Sequence, residues 1–279
     1  MAVSEELQAL VAQLPDADNR GMYTENIDKE AIEATIASLF QGGAAFVRGL
    51  VDMLDEPGTH ANLKPHYGLH CLANHTLVLQ DEPARAALAG VLCEKLADPE
   101  VTAHNKDFLC QTLQWVGRRE SCAALGRCLH DEDLVEAAAM ALVGIRQGAA
   151  ETLRAVLPEL QGKCRMHAVY ALAVLADPQA VSHLQDALQD DDREVRIGGG
   201  LGLAKLAVPA TAQNLLAAAD QATGWERIQL SHSCFLLAEN LVAAGETAAA
   251  VTIYQQIWET RDDEPHLREA AEKALAAIR

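Results

Sequence analysis

Aromatic and basic residues are scarce in this sequence. Phenylalanine, tryptophan and tyrosine make up 4% of the 279 residues, and 22 lysines and arginines stand against 40 aspartates and glutamates, for a formal net charge of −18. Proteins that bind nucleic acid need a basic surface, and those that bind single strands add aromatic side chains for stacking. Negative charge is also unfavourable at an anionic membrane surface. We therefore expect neither a nucleic-acid nor a membrane partner. A basic protein, a cationic ligand or solubility alone would account for the charge.

The sequence also lacks a disulfide pattern, a targeting signal and a membrane span. Its seven cysteines are scattered among apolar residues and contain no C-x-x-C pair, which is typical of reduced thiols in a protein core. No basic segment followed by an apolar run opens the chain, and no window approaches the roughly 18 apolar residues of a membrane-spanning helix. A cytoplasmic location is the default expectation, and a leader that had been removed would leave the same sequence.

A catalytic or phosphate-binding motif is missing as well. The glycines at Gly198, Gly199, Gly200 and Gly202 match neither G-x-G-x-x-G nor G-x-x-x-x-G-K-[ST], and no predicted strand precedes them. The spacing supports no Ser-His-Asp, Cys-His or paired-carboxylate arrangement. Glycines at these positions permit the close approach of a neighbouring helix or of a ligand backbone; we expect the first, and we expect no cofactor.

What the sequence does contain is a repeat. When Gly202-Leu203 is aligned with Ala171-Leu172, Ser233-Cys234 and Ala274-Leu275, an arginine falls six residues earlier each time. We call these arginines the ladder; they are Arg165, Arg196, Arg227 and Arg268, at steps of 31, 31 and 41 residues. A period of roughly 30–45 residues is typical of solenoids, in which each unit buries its apolar face against its neighbours.

The periodicity predicts an all-α fold, a right-handed α-solenoid of about seven helix pairs. Residues 1–28 are predicted to be a peripheral N-terminal helix and linker, and residues 29–279 to be the repeat array. Within the array, 238–260 resembles a tetratricopeptide hairpin and would explain the longer step. Shorter outer helices are expected at about 44–54, 83–96, 119–129, 149–158, 178–189, 209–219 and 246–260. Longer inner helices are expected at about 62–79, 100–117, 132–145, 163–176, 192–207, 224–243 and 264–278.

Three segments carry a family resemblance. DREVRIGGGLGLAKLA, KCRMHAVYALAVLAD and HLREAAEKALAAI resemble the HEAT-repeat family, and in particular the short-period version found in bilin lyases. With degenerate earlier copies the likeness covers about residues 44–279. The resemblance implies a scaffold or adaptor in most cases, and an enzyme in a minority: bilin lyases, deoxyhypusine hydroxylase and AlkD-like DNA glycosylases. The hydroxylase would require paired His-Glu dipeptides, which this sequence lacks, and the glycosylase would require a basic concave face.

The resemblance also implies a role for the ladder. In HEAT proteins an arginine at this position pairs with an aspartate of an adjoining turn, and Asp131, Asp191 and Asp263 are available. An anion-binding groove is the alternative. The position is occupied by other residues in the N-terminal copies, namely Val135, Ala103 and Asn62.

Two histidines form the strongest candidate for chemistry. His66 and His70 are four residues apart and share a helix face, and alignment of the inner helices places Asp107 opposite His66. Two histidines and a carboxylate can hold a transition metal with open positions. Such pairs also arise by chance, so these residues are a weak metal candidate, and we expect them to line the concave surface.

We therefore predict a non-catalytic scaffold that binds a protein or peptide partner along the concave face of the inner helices. The residues expected to line that face are Lys64, His66, His70, Lys106, Asp107, Met166, Glu194 and Trp225. A lyase-type or hydroxylase-like enzyme that uses His66, His70 and Asp107 is the first alternative. A structural subunit of a larger assembly is the second, and it predicts a large apolar patch at one end of the array. The sequence leaves the oligomeric state open.

Overall fold

A computed structural model describes residues 3–16, 27–55 and 59–278 of the chain. The residues divide into two compact units, Met1–Thr152 and Leu153–Arg279. The described residues form sixteen α-helices and no β-strand. The predicted all-α class of repeated helix pairs is confirmed, and each predicted inner and outer helix is present with boundaries displaced by a few residues. Three outer helices start later than predicted because a short 3₁₀ turn precedes them, at Arg119–Ser121, Pro178–Ala180 and Pro209–Thr211.

The first unit is built in two layers of helices. Its helices are α1 Glu5–Gln13, α2 Lys29–Gln41, α3 Gly43–Asp52, α4 His60–Leu79, α5 Glu82–Leu96, α6 Ala103–Val116, α7 Cys122–Cys128 and α8 Val135–Ile145. The inner helices α2, α4, α6 and α8 pack in succession, and so do the outer helices α3, α5 and α7. No single described helix is long and apolar enough to cross a membrane; α2 and α3 pass that test only as a pair bent by 109°.

The second unit repeats this layering. Helix α9, Ala149–Val156, spans the boundary between the units. The helices that follow are α10 Gly162–Leu175, α11 Val181–Ala187, α12 Arg193–Leu206, α13 Ala212–Gln221, α14 Gly224–Ala243, α15 Thr247–Thr260 and α16 Pro265–Ile278. The inner helices α10, α12 and α14 pack in succession, α11 and α13 cover them, and α15 packs on α14 and α16. The tetratricopeptide likeness of 238–260 stays a prediction.

Helix α1 contributes to the core of the first unit. The Ser4 side chain accepts a hydrogen bond from the backbone N–H of Leu7, which caps the helix. Leu7, Val11 and Leu14 are buried, and α1 contacts α2, α3 and α4. Because its apolar stripe is covered in this way, α1 packs onto the array. Most of the predicted linker after it, residues 17–26, lies outside the described residues.

Acidic residues at the turns cap the helices that follow. The side chains of Asp28, Asp81, Asp177 and Asp192 each accept a backbone N–H two or three residues further on. A carboxylate at this position satisfies an N–H that has no partner within the helix, and it also interacts favourably with the positive end of the helix dipole. Capping therefore gives these four aspartates a structural role at the turns.

The cysteines behave as core residues. All seven are free thiols, five of them buried and two half-buried. Burial raises the pKa of the Cys234 thiol to about 12, because desolvation disfavours the thiolate. A thiol with such a pKa stays protonated and unreactive at neutral pH.

The glycines of α12 let its neighbours approach closely. A β-carbon at Gly199 would lie 2.9 Å from the carbonyl oxygen of Leu184 and 3.0 Å from the β-carbon of Ala187, both on α11. A β-carbon at Gly200 would lie 2.6 Å from a methyl group of Leu230 on α14. These glycines serve packing, as the sequence predicts, because a methyl group would collide with adjacent helices.

We expect Gly199→Ala to lower the free energy of unfolding by about 1–3 kcal/mol, because backbone atoms of α11 would have to move. Gly90→Ala on α5 is the matched control. No atom lies within 4 Å of its added β-carbon, so the better helix propensity of alanine should raise stability by about 0.5–1 kcal/mol. Urea unfolding of both variants checks the pair, and equal effects in the two would contradict the packing role.

Candidate functional site

The ladder arginines join successive repeats of the second unit. Arg196 donates from Nη2 to Oε2 of Glu226 on α14 at 2.8 Å, and its Nε donates to the other carboxylate oxygen. Its Nη1 donates to the backbone carbonyl of Asp190 at 2.6 Å, in the turn before its own helix. One guanidinium thus holds the preceding turn and the following helix together. These hydrogen bonds hold the pKa of Glu226 below its usual value.

Arg165 and Arg227 each make a similar pair of connections, to a carboxylate and to a backbone carbonyl. Arg165 donates to the carboxylate of Asp190 at 2.6 Å and to the carbonyl of Leu157 at 2.9 Å. Arg227 donates from Nε to Glu264 at 2.9 Å and from Nη1 to the carbonyl of Asp220 at 3.3 Å. The sequence analysis expected an aspartate of an adjoining turn as the partner. Arg165 pairs with such an aspartate, Asp190, whereas Arg196 and Arg227 pair with Glu226 and Glu264 at the start of the next inner helix.

The fourth ladder residue has a different environment. Arg268 donates from Nη1 to Asp262 at 2.6 Å, and its guanidinium lies over the ring of Trp258, 5.5 Å from the centroid. The aspartates singled out in the sequence are not the side-chain partners found. Asp191 offers Arg196 only its backbone carbonyl, and in α8 and α6 the equivalent positions are Val135 and Ala103.

The geometry does not support the anion-groove alternative at Arg196 and Arg227. A groove of about 530 Å³ does lie beside Arg196 and Glu226. However, all three nitrogens of Arg196 already donate to protein acceptors, and so do those of Arg227. A guanidinium whose donors are used in this way has no free fork to offer an incoming anion.

Two buried arginines were missed by the sequence analysis. Arg85 on α5 is buried and pairs with Glu82 at 2.6 Å and Glu120 at 2.8 Å. Arg261 is buried and pairs with Asp220 at 2.7 Å. Neither is in register with the ladder. Nearby acidic residues in the sequence could have indicated both arginines as ion-pairing residues, because Glu82 lies three residues before Arg85 and an acidic run follows Arg261.

The inner helices of the second unit carry apolar residues in register. Residues 31 apart occupy equivalent positions, so Met166, Ile197 and Ile228 form one row across α10, α12 and α14, in which Met166 is half-buried, Ile197 is buried and Ile228 is exposed. Tyr170 and Leu201 form the next row, and Lys163, Glu194 and Trp225 the row at the helix starts. Together these residues define the second inner face.

Three predicted residues lie on the second inner face. Met166 and Glu194 are half-buried, and Glu194 accepts a hydrogen bond from Arg193 at 3.1 Å. Trp225 has 55% of its surface exposed and Ile228 has 59%. The Tyr170 ring lies beside Gly198, where a β-carbon would be 3.2 Å from it, and burial followed by the nearby Glu194 raises the pKa of the tyrosine hydroxyl.

The first unit exposes a different set of side chains on α6 and α8. His104, Asp107, Gln111 and Trp115 recur at helical spacing along one side of α6, and Glu136 and Met140 do so on α8. Trp115 is 42% exposed and Met140 is 52% exposed. We call these six residues the first inner face.

The predicted histidine cluster is organised by aromatic contacts. His66 stacks on Phe108 with ring centroids 3.7 Å apart, and His70 meets the edge of Trp115 at 4.9 Å. Burial, together with the nearby His70 and His104, lowers the pKa of His66. Asp107 accepts a hydrogen bond from Gln111 at 2.7 Å. Within the described residues, no three histidine, cysteine or carboxylate side chains form a group that could hold a metal ion.

Two predicted lysines do not line an inner face. Lys64 reaches α1, where its Nζ lies 3.0 Å from the carbonyl of Ala12 and 3.2 Å from Asp16. Lys106 lines a groove with Arg127, Cys128 and Asp131 at the ends of α5 and α7. These contacts take both side chains toward other elements, and their expected place on the concave face stays a prediction.

Comparisons with known proteins identify the repeat. The model for HEAT repeats matches residues 150–233. Similar solved structures include an engineered protein (18% identity, 98% of this chain and 78% of that chain, TM-score 0.45). Human deoxyhypusine hydroxylase in complex with glycerol is 17% identical over 98% of this chain and 96% of that chain, with a TM-score of 0.34. The complex of CpcE and CpcF of phycocyanin lyase from Nostoc sp. PCC7120 is 15% identical, over 98% and 94%, with a TM-score of 0.33. A search of curated proteins gives no match.

We expect Arg196→Met to lower the free energy of unfolding by about 1–3 kcal/mol, because the Glu226 carboxylate and the Asp190 carbonyl lose their donor. Arg193→Met is the matched control: its exposed side chain donates to the adjacent Glu194, so the change should stay below about 0.5 kcal/mol. Chemical denaturation measures both. Similar losses in the two variants would show that the ladder position has no special role.

The lowered pKa of His66 predicts a loss of stability in mild acid. The folded protein takes up this proton at lower pH than the unfolded chain, whose histidine titrates near 6.5, so the contribution of His66 is complete above about pH 6.5 and is lost below it. His66→Phe keeps a ring on Phe108 but cannot titrate. We expect the free energy of unfolding to fall less in His66→Phe than in the wild type between about pH 7.5 and pH 5.5. The same fall in both proteins would contradict the assignment.

Proposed function

Residues 150–233 are HEAT repeats, and we propose that the chain is a non-catalytic scaffold that binds a protein or peptide partner through its inner helices. The observation that carries the proposal is the distribution of exposed apolar side chains. Among the described residues, eight of the nine large hydrophobic side chains that are exposed lie on inner helices. They are Val78, Leu79, Trp115, Met140, Val174, Trp225, Ile228 and Val242.

The outer helices contrast with this pattern. Trp258 on α15 is their one exposed large hydrophobic residue within the described part of the chain, and the guanidinium of Arg268 lies over it. Apolar surface left uncovered on one layer is typical of an interaction site, and aromatic residues and methionine are enriched in such sites. The inner helices therefore offer the surface that a partner can bury.

An enzyme at His66, His70 and Asp107 has less support. Both histidines contact aromatic rings, and Asp107 accepts a hydrogen bond from Gln111. A general acid or base needs access to a reacting atom, whereas each histidine has its ring against an aromatic side chain. A structural subunit of a larger assembly would use the same exposed surface, with its partner permanently bound.

The scaffold proposal can be tested with a random peptide library displayed on phage. We expect wild-type protein to enrich peptides whose binding weakens at least about tenfold when an inner face is altered, since buried aromatic anchors carry most of the binding energy. The altered proteins are Trp225→Ser/Ile228→Ser for the second face and Trp115→Ser/Met140→Ser for the first.

Trp258→Ser is the matched control, because it removes an exposed tryptophan from an outer helix. Circular dichroism and thermal melts of each variant establish that the fold is intact. Enriched peptides that bind all variants equally, or a selection that yields no peptide at all, would count against binding through the inner helices.

A further inference from the structure

The first inner face combines apolar surface with unneutralised carboxylates. Trp115 and Met140 are its two strongly exposed apolar residues. Asp107 lies about two helical turns before Trp115 on α6, and Glu136 lies one turn before Met140 on α8. Because α6 and α8 pack directly against each other, the two helices form one surface. Asp133 is exposed at the turn that leads into α8 and extends the acidic end of that surface.

Among the described residues, the lysines and arginine on α4, on α6 and just after α6 lie against other parts of the first unit. Lys106 lines the groove with Arg127 and Asp131, and Lys64 is engaged with α1. Arg118, at the end of α6, donates to the backbone carbonyls of Trp115 and Gly117 and so sits at the helix terminus. Two histidines also lie here: His70, which meets the edge of Trp115, and the exposed His104.

The surrounding charge has the same sign. The residues of the first unit, 1–152, carry 23 of the 40 acidic residues and 11 of the 22 basic ones, so they hold −12 of the net −18. The second unit holds the remaining −6. The field around the first inner face therefore attracts cations more strongly than the field around the second.

From this we propose that the first inner face binds a lysine- or arginine-rich segment of a partner protein. This inference rests on the proposed scaffold function and names the partner chemistry for one of its two faces. The alkyl part of a lysine or arginine side chain would cover Trp115 and Met140, and its charged end would meet Asp107 or Glu136. A second basic side chain of the segment could place its charged group over the exposed indole in a cation–π interaction. An acidic segment would be repelled by the same carboxylates.

The test uses three fluorescein-labelled peptides with the same leucines and with lysine, glutamate or serine at the remaining positions. Fluorescence anisotropy of the full-length protein should give the lysine peptide an affinity at least about tenfold above that of the glutamate peptide. Added salt should weaken the binding of the lysine peptide, because exposed charges are screened.

Two pairs of substitutions locate the binding. Asp107→Asn/Glu136→Gln removes the negative charges and should lower the affinity for the lysine peptide at least about fivefold. Trp115→Ser/Met140→Ser removes the apolar side chains and should lower that affinity by a similar factor. Asp186→Asn/Glu259→Gln removes the same number of charges from the outer helices α11 and α15, and it should change affinity less than about twofold.

Each outcome decides between the proposals. If Asp186→Asn/Glu259→Gln lowers the affinity for the lysine peptide as much as Asp107→Asn/Glu136→Gln does, then binding depends on net charge alone. That result overturns the assignment to the first inner face. Absence of a preference for lysine over glutamate overturns it as well. If library peptides depend on Trp115 and Met140 but carry no basic residues, the scaffold function stands and the basic partner is wrong. If no peptide depends on either inner face, the scaffold function fails too.

Discussion

In the second unit, the position of each helix pair relative to the next depends on an arginine that contacts both. A helix pair exposes an apolar flank that only the next pair can cover, so the position of each pair relative to the next must be fixed. Arg196 does this with one side chain, because its guanidinium reaches both the Asp190 carbonyl behind it and the Glu226 carboxylate ahead. A planar group with five donors suits this task better than lysine, whose single ammonium cannot bridge two fixed acceptors with the same geometry. Asp190 connects two successive ladder arginines, since its carboxylate accepts a hydrogen bond from Arg165 and its backbone carbonyl accepts one from Arg196.

The ladder arginine is present only in the second unit. In the first unit the ladder position holds Val135, Ala103 or Asn62, and the buried cation Arg85 lies instead on the outer helix α5, where it pairs with Glu82 and Glu120. Helix α1 adds a further layer there by burying Leu7, Val11 and Leu14. The two units thus share a layering of helices but differ in which buried or half-buried arginines join neighbouring elements. The difference follows from the sequence at one register position of the repeat.

Much of the fold could be predicted from the sequence, and less of the site. The 31-residue step located α10, α12 and α14, because the period of buried residues is a local property of the chain. The ladder positions followed from the same step, but the identity of their partners did not. Whether Asp191 or Glu226 lies within reach of Arg196 depends on how the turn folds back, which periodicity does not encode. Periodicity has the same limit for Lys64 and Lys106, since a side chain beside the exposed stripe of a helix can turn toward either neighbour.

The glycines of α12 have a consequence for how the second unit unfolds. Each glycine in a helix interior costs about 1 kcal/mol relative to alanine, so the segment with Gly198, Gly199, Gly200 and Gly202 is a poor helix by itself. The closeness that these glycines allow strengthens its contacts with α11 and α14. In a nearest-neighbour description of a repeat array, the intrinsic folding free energy of α12 is unfavourable, and its interfaces with the adjacent helices supply most of its stability. Such an element cannot persist when its neighbours melt, and they lose their largest interfaces when it melts. The repeats on either side of α12 are therefore tied into one cooperative block, and partly unfolded forms that end at α12 are strongly disfavoured.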